Sequence, residues 1–133
     1  MTEEELLQVI EKAAAEGWTE LDLSGNELTV LPPEIGKLTR LKKLVLGKYE
    51  RDEEGHIITV GNKLSELPKE IGLLVQLEEL EIVGNQLSNL PVQIGQLLNL
   101  QSLHLSNNQL SNLPAQIGQL TNLQFLHLSS NQL

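Results

Sequence analysis

The sequence predicts an α/β solenoid: a parallel β-sheet on the concave face, short helical or 3-10 turns on the convex face, and a capping helix at the N-terminus. Three observations predict it. A 23-residue word recurs, most plainly as LEELEIVGNQLSNLPVQIGQLLN from Leu77 to Asn99 and LQSLHLSNNQLSNLPAQIGQLTN from Leu100 to Asn122. Self-similarity at a fixed period of about 20–30 residues is the signature of stacked coils. Within each word a short x-L-x-L-x stretch alternates with period two, which is a strand with one buried face. Each word then carries Pro and Gly at fixed offsets, which break the strand and turn the chain back.

The first element is a helix over residues 2 to 16. Thr2 followed by Glu5 is a capping box, and Glu3, Glu4 and Glu5 lie in the first turn, where the helix dipole favours negative charge. Leu6, Ile10, Ala13 and Ala14 form an apolar stripe with Leu7 beside it, and Gly17 is a C-terminal stop. Such a helix either binds a partner or covers the open edge of the first coil; solenoids need a cap with a polar outer face. Residues 1–17 are assigned to this cap.

The coils follow as 18–40, 41–76, 77–99, 100–122 and a partial 123–133. Their first segment is L-x-x-L-x-L-x-x-N, with Trp18 standing in the first Leu place of the first coil. Strands returning once per coil stack in parallel. The second segment is L-x-x-L-P-x-x-I-G-x-L, as in Leu64, Leu67, Pro68, Ile71, Gly72 and Leu74. Asn26, Asn62, Asn85, Asn108 and Asn131 recur at one position of the turn. An amide donates and accepts at once, so stacked asparagines can satisfy backbone groups that sheet pairing leaves free.

The second coil breaks the pattern. Tyr49 stands where the Asn is due, and the word resumes at Val60-Gly61-Asn62, so thirteen residues are inserted near 47–59. Asp52-Glu53-Glu54-Gly55 is a turn signal, and the insert reads as a hairpin. Insertions in solenoids often lie on the binding face; a tolerated surface loop is the alternative, because lengthening a loop costs little entropy. Tyr49, Ile57 and Ile58 are more apolar than a solvated loop needs. Further along, Leu87–Gln109 and Leu110–Gln132 differ only at Val92/Ala115, Leu98/Thr121, Ser102/Phe125 and Asn107/Ser130, which points to a duplication. The sequence ends at Leu133 within a repeat, so core residues of the last coil are expected to face solvent. A longer native protein is one explanation, and self-association through that edge is another.

The words over residues 18–133 resemble the leucine-rich repeat, in the 23-residue form found in intracellular scaffolds, including Ras-associated ones. The acidic helix running into Trp18-Thr19-Glu20-Leu21-Asp22-Leu23-Ser24-Gly25-Asn26 looks like the start of bacterial, particularly cyanobacterial, Roco-type proteins. That likeness implies a Ras-like GTPase domain beyond residue 133. The first resemblance implies a module that binds a protein or peptide on its concave sheet.

By strand register, the side chains facing that sheet are Glu20, Asp22 and Ser24; Lys43 and Val45; Glu79, Glu81 and Val83; Ser102, His104 and Ser106; and Phe125, His127 and Ser129. Of these, Glu20, Asp22, Lys43, Val45, Glu79, Glu81, Val83, His104, Phe125 and His127 are candidate partner contacts, with Tyr49 and Ile57 from the insert. Glu20, Asp22, Glu79 and Glu81 make one half acidic, moderated by Lys43. Phe125 with His104 and His127 makes the other half aromatic, and an exposed aromatic on a rigid sheet is a typical hot-spot residue.

Other chemistry finds little support. His104 and His127 lie one repeat apart, on adjacent strands about 5 Å apart. Two imidazoles can contribute to a metal site, but no third ligand is near, so no metal or other cofactor is assigned. His56 falls in the insert. Glu79 and Glu81 share a face, yet an open sheet offers no pocket to shift their ionisation. There is no GxxxxGK[ST], GxSxG or HExxH motif, and the chain is not read as an enzyme.

The bulk composition agrees. A net charge of −9 argues against nucleic acid as partner. All 18 acidic residues lie between Glu3 and Glu81 and all nine basic ones between Lys12 and Lys69, so the second half is a neutral Gln/Asn/Ser-rich surface. There is no Cys, which for a solenoid of this kind favours a reducing, cytoplasmic setting. The charge-broken first twenty residues do not read as a signal peptide, and no apolar run is long enough for a membrane span.

Overall fold

The computed structural model describes all 133 residues. Helix α1 (Glu3–Glu16) starts at the capping box: the Thr2 hydroxyl accepts from the Glu5 amide at 3.1 Å and the Glu5 carboxylate accepts from the Thr2 amide at 3.0 Å. Those bonds hold the Glu5 carboxyl below its usual range, the one from the Thr2 backbone foremost. Gly17, at φ +64, ends the helix in the left-handed conformation that a side chain would disfavour. Leu6, Ile10 and Ala13 are buried against the first coil, with Val9 packed beside them. Ala14 is exposed, contrary to the stripe expected for it. The contact line runs on the Val9 side of Ile10, where α1 packs against the first 3-10 turn.

Six strands form one sheet: β1 (Glu20–Asp22), β2 (Lys43–Arg51), β3 (Ile57–Val60), β4 (Glu79–Ile82), β5 (Ser102–His104) and β6 (Phe125–His127). The order β1-β2-β4-β5-β6 is parallel throughout, and β3 pairs antiparallel with β2. Each coil crosses the opposite face through a 3-10 turn, at Pro33–Lys37, Lys69–Leu73, Val92–Gln96 and Ala115–Gln119. A proline immediately precedes or opens each of these turns, with φ near the value a helical start requires. The predicted fold is borne out, including its parallel sheet and short convex turns.

The core is one continuous cluster, all Leu and Ile but for Ala13, running from Leu6 in α1 to Leu120. Each fully buried one contributes about 1.5–3 kcal/mol by leaving water. No residue of the last coil joins that core as fully buried: Leu123 and Leu128 are half-buried, and Leu126 and Leu133 are exposed.

Asparagine side chains knit the coils together along the turn that follows the sheet. Asn62 Oδ1 accepts from the Asn26 and Leu28 amides at 3.1 and 2.9 Å, while its Nδ2 donates to the Leu23 and Leu46 carbonyls at 3.0 and 2.8 Å. Asn85 accepts from Leu64 and donates to Leu46; Asn108 accepts from Leu87 and donates to Ile82; Asn131 accepts from Leu110 and donates to Leu105. Asn26 donates to Leu23 and Ser24 of its own coil. A second, shorter ladder lies in the turns that lead from the 3-10 segments back into the strands, where Asn99 donates to the Val75 carbonyl at 2.9 Å and Asn122 to that of Leu98 at 2.8 Å. Its signal was present at the end of the 23-residue word, but Arg40 and Gln76 hold that place in the earlier coils and hide it.

The insert is an antiparallel hairpin, with Lys48 opposite Val60 and Arg51 opposite Ile57. β2 slips by one residue against β4 between Val45 and Gly47, a bulge that turns the strand out of the sheet and into the hairpin. The foot of the hairpin lies hard against the third coil. A Cβ at Gly47 would collide with the Val83 carbonyl, and one at Gly61 with the Gly84 carbonyl.

Candidate functional site

The concave surface is built from alternate residues of the parallel strands, so its side chains fall in rows that cross the sheet. One row is Glu20, Lys43, Glu79, Ser102 and Phe125; the next is Asp22, Val45, Glu81, His104 and His127. The coils share one length outside the insert, and that shared length keeps both rows in register.

The first three strands carry charge. Lys48, from the hairpin foot, donates to Asp22 at 2.8 Å. Partial burial pushes the Asp22 carboxyl up, but hydrogen bonds from Lys48 and Ser24 outweigh it and hold the group below its usual value. The same bond to Asp22 raises the Lys48 ammonium. Lys43 lies 3.6 Å from Glu79 and 4.0 Å from Glu81. These are solvated pairs worth little in stability, so their role lies in the surface potential.

The last two strands carry rings. His104 and His127 stack with centroids 4.6 Å apart and planes 6° from parallel. Phe125 stacks on His127 at 6.5 Å and stands 56% exposed. Partial burial lowers the His104 pKa; Glu81 opposes this and the His127 ring reinforces it. Among His, Cys, Asp and Glu side chains, no group of three gathers to form a metal site.

Two candidate contacts do not face an open surface. Val45 is only 5% exposed and Val83 only 2%. Ser106, in the row of Val83, is buried as well. The hairpin is the reason. Lys48 reaches back over the second coil to Asp22, and Tyr49 reaches forward to Asn107, passing over the third coil where Val83 lies. The outward face of these strands is therefore roofed at its C-terminal end. Tyr49 and Ile57 remain exposed on the hairpin, with Ile58. Reasoning from register placed Val45 and Val83 correctly on the sheet but did not foresee a neighbouring loop folding over them.

The remaining candidates lie where register places them: Glu20 and Asp22 on β1, Lys43 on β2, Glu79 and Glu81 on β4, His104 on β5, Phe125 and His127 on β6. Sequence reasoning missed Lys48, which helps shape the basin among Glu20, Asp22, Lys43, Val45 and Glu81. Its only signal was a cation two residues after Leu46 at the start of the insert. No helix is long and apolar enough to cross a membrane.

The comparisons agree on the family. A profile described as leucine-rich repeat region matches residues 56–133, and one described as leucine rich repeat matches residues 18–38. No curated protein matches. Among solved structures, a leucine-rich repeat protein of Leptospira interrogans is similar at 39% identity and a TM-score of 0.63, over 91% of this chain and 34% of that one. The chain thus spans about a third of the length of that relative. With the stacked coils, the asparagine ladder and these matches, the chain belongs to the leucine-rich repeat family.

Proposed function

We propose that the chain is a protein-interaction module whose concave sheet holds a protein or peptide partner. Leucine-rich repeat domains generally mediate protein–protein interaction, and the family fold is not an enzymatic one. The observation that carries the reading is the Phe125–His127–His104 stack, with Phe125 and His127 exposed, on a sheet flanked by the asparagine ladder. A rigid platform loses little conformational entropy on binding, and an exposed aromatic on its last strand supplies the apolar contact. The hairpin, with Tyr49, Ile57 and Ile58 exposed, borders the same face and extends the surface. The net charge of −9 speaks for a protein rather than a nucleic-acid partner, because it repels phosphate.

The test is affinity capture with the wild-type chain, with Phe125→Ala and with residues 48–59 removed. Capture that depends on Phe125 supports the concave sheet, and capture that depends on the deletion adds the hairpin. Identical capture by all three removes the assignment.

The likeness of the N-terminal segment to Roco-type proteins extends the module to a cytoplasmic signalling setting linked to a GTPase; the gene sequence following Leu133 tests that.

A further inference from the structure

The two sides of the concave sheet differ in chemistry, and the distance between them sets a spacing. On the β1–β2–β4 side, a shallow basin is lined by Glu20, Asp22, Lys43, Val45, Lys48 and Glu81. Val45 lies at its base, only 5% exposed. Charge there is unbalanced: Glu20, Asp22, Glu79 and Glu81 face two lysines. Lys48 is committed to Asp22 at 2.8 Å, while Lys43 is shared at longer range between Glu79 and Glu81. Glu20 makes no ion pair. The basin therefore complements a cationic side chain, as in Lys or Arg, whose head reaches Glu20 and Glu81. On the β5–β6 side, Phe125 and the paired imidazoles form an aromatic shelf, and no Asp, Glu, Lys or Arg occurs from Ile82 onward.

From β2 to β6 is three strand steps, about 14 Å at ordinary strand spacing. An extended chain rises about 3.3 Å per residue, so about four residues cover that distance. Residues four apart in an extended chain point to the same side. We propose that the concave face takes an extended peptide segment lying across the strands, with Lys or Arg over the basin and an aromatic or large aliphatic side chain four residues away on the Phe125–His127 shelf. This rests on the interaction-module reading above and names the chemistry of its partner. The acidic first half of the chain also steers such a cationic segment toward the basin.

The experiment pans a phage-displayed random dodecapeptide library against the chain. Enriched peptides are then measured by fluorescence polarisation against the wild type, Glu20→Gln, Glu81→Lys and Phe125→Ser. Thermal unfolding of each variant is compared first, and Phe125→Ser and Glu20→Gln are expected to fold because both side chains are exposed. The expected result is enrichment of a basic and an apolar residue at i and i+4, in either order, with Glu81→Lys and Phe125→Ser each weakening binding about tenfold or more. Peptides that need Phe125 but lack the basic residue or the spacing overturn the partner chemistry and leave the module reading standing. Peptides indifferent to all three variants overturn the concave site. No enrichment overturns the extended-peptide assignment, and the capture experiment then decides separately on the concave face.

Discussion

The Tyr49 hydroxyl accepts a hydrogen bond from the Asn107 side-chain amide at 3.1 Å, joining residues 58 apart in sequence. It ties the hairpin of the second coil to the turn of the fourth. In the near-duplicate repeat, Ser130 replaces Asn107, so only one of the two copies can make this contact. Tyr49→Phe is expected to change global stability by no more than about 0.5–1.5 kcal/mol, the ordinary worth of one hydrogen bond. Amide exchange in Lys48–Arg51 and Ile57–Val60 is expected to quicken while that of the core strands stays the same. Unchanged exchange in the hairpin means the tyrosine does not hold it.

The asparagine ladder predicts unequal costs along the chain. Asn85 and Asn108 are buried between two coils, whereas Asn131 closes the half-buried last one. Asn85→Ala leaves the Leu64 amide without its acceptor and removes one of the two donors to the Leu46 carbonyl. It is expected to cost about 1–3 kcal/mol in urea unfolding. Asn131→Ala is expected to cost less, because water reaches the groups it releases. Equal costs would remove the inter-coil explanation.

Glycine substitutions separate collision from conformation. Gly47→Ala places a methyl group into the Val83 carbonyl, so the hairpin foot has to lift from the third coil. The expected loss is about 3 kcal/mol or more. Gly55 at the hairpin tip meets nothing within 4 Å but sits at φ +83, so Gly55→Ala is expected to cost about 1 kcal/mol from backbone strain alone. Gly118→Ala meets neither obstacle and is expected to be near neutral. Melting temperatures of the three proteins check the order.

The stacked histidines predict a pH dependence. Burial depresses the His104 pKa in the folded chain below its ordinary 6.5. On acidification the unfolded chain therefore takes up the proton first. The stability linked to His104 is complete above 6.5 and is lost as pH falls from there toward the depressed folded value. Unfolding free energy measured between about pH 7 and about pH 5 is expected to fall on acidification, with a shallower slope in His104→Gln. An identical slope in the two proteins would falsify the assignment to His104.

The fold was legible because a 23-residue period and two alternations state the coil length, the buried face and the turn without reference to distant residues. The same register located Glu20, Lys43, Glu79, Phe125 and both histidines on the concave side, since a parallel sheet keeps equivalent positions in line. The hairpin's direction was not legible. Nothing local to residues 47–59 says that Lys48 reaches Asp22 while Tyr49 reaches Asn107. Val45 and Val83 were therefore expected in the open and are found covered.

By itself, the sequence determined the repeat, its core and its ladder, because those depend on contacts between identical positions one period apart. Only the tertiary structure decided the shape of the concave face. The bulge at Val45–Gly47 and the glycine contacts at its foot aim the hairpin along the solenoid, bringing residues from different coils into one roof over the sheet. That aim is set by sterics between non-equivalent residues, which a repeating pattern does not encode.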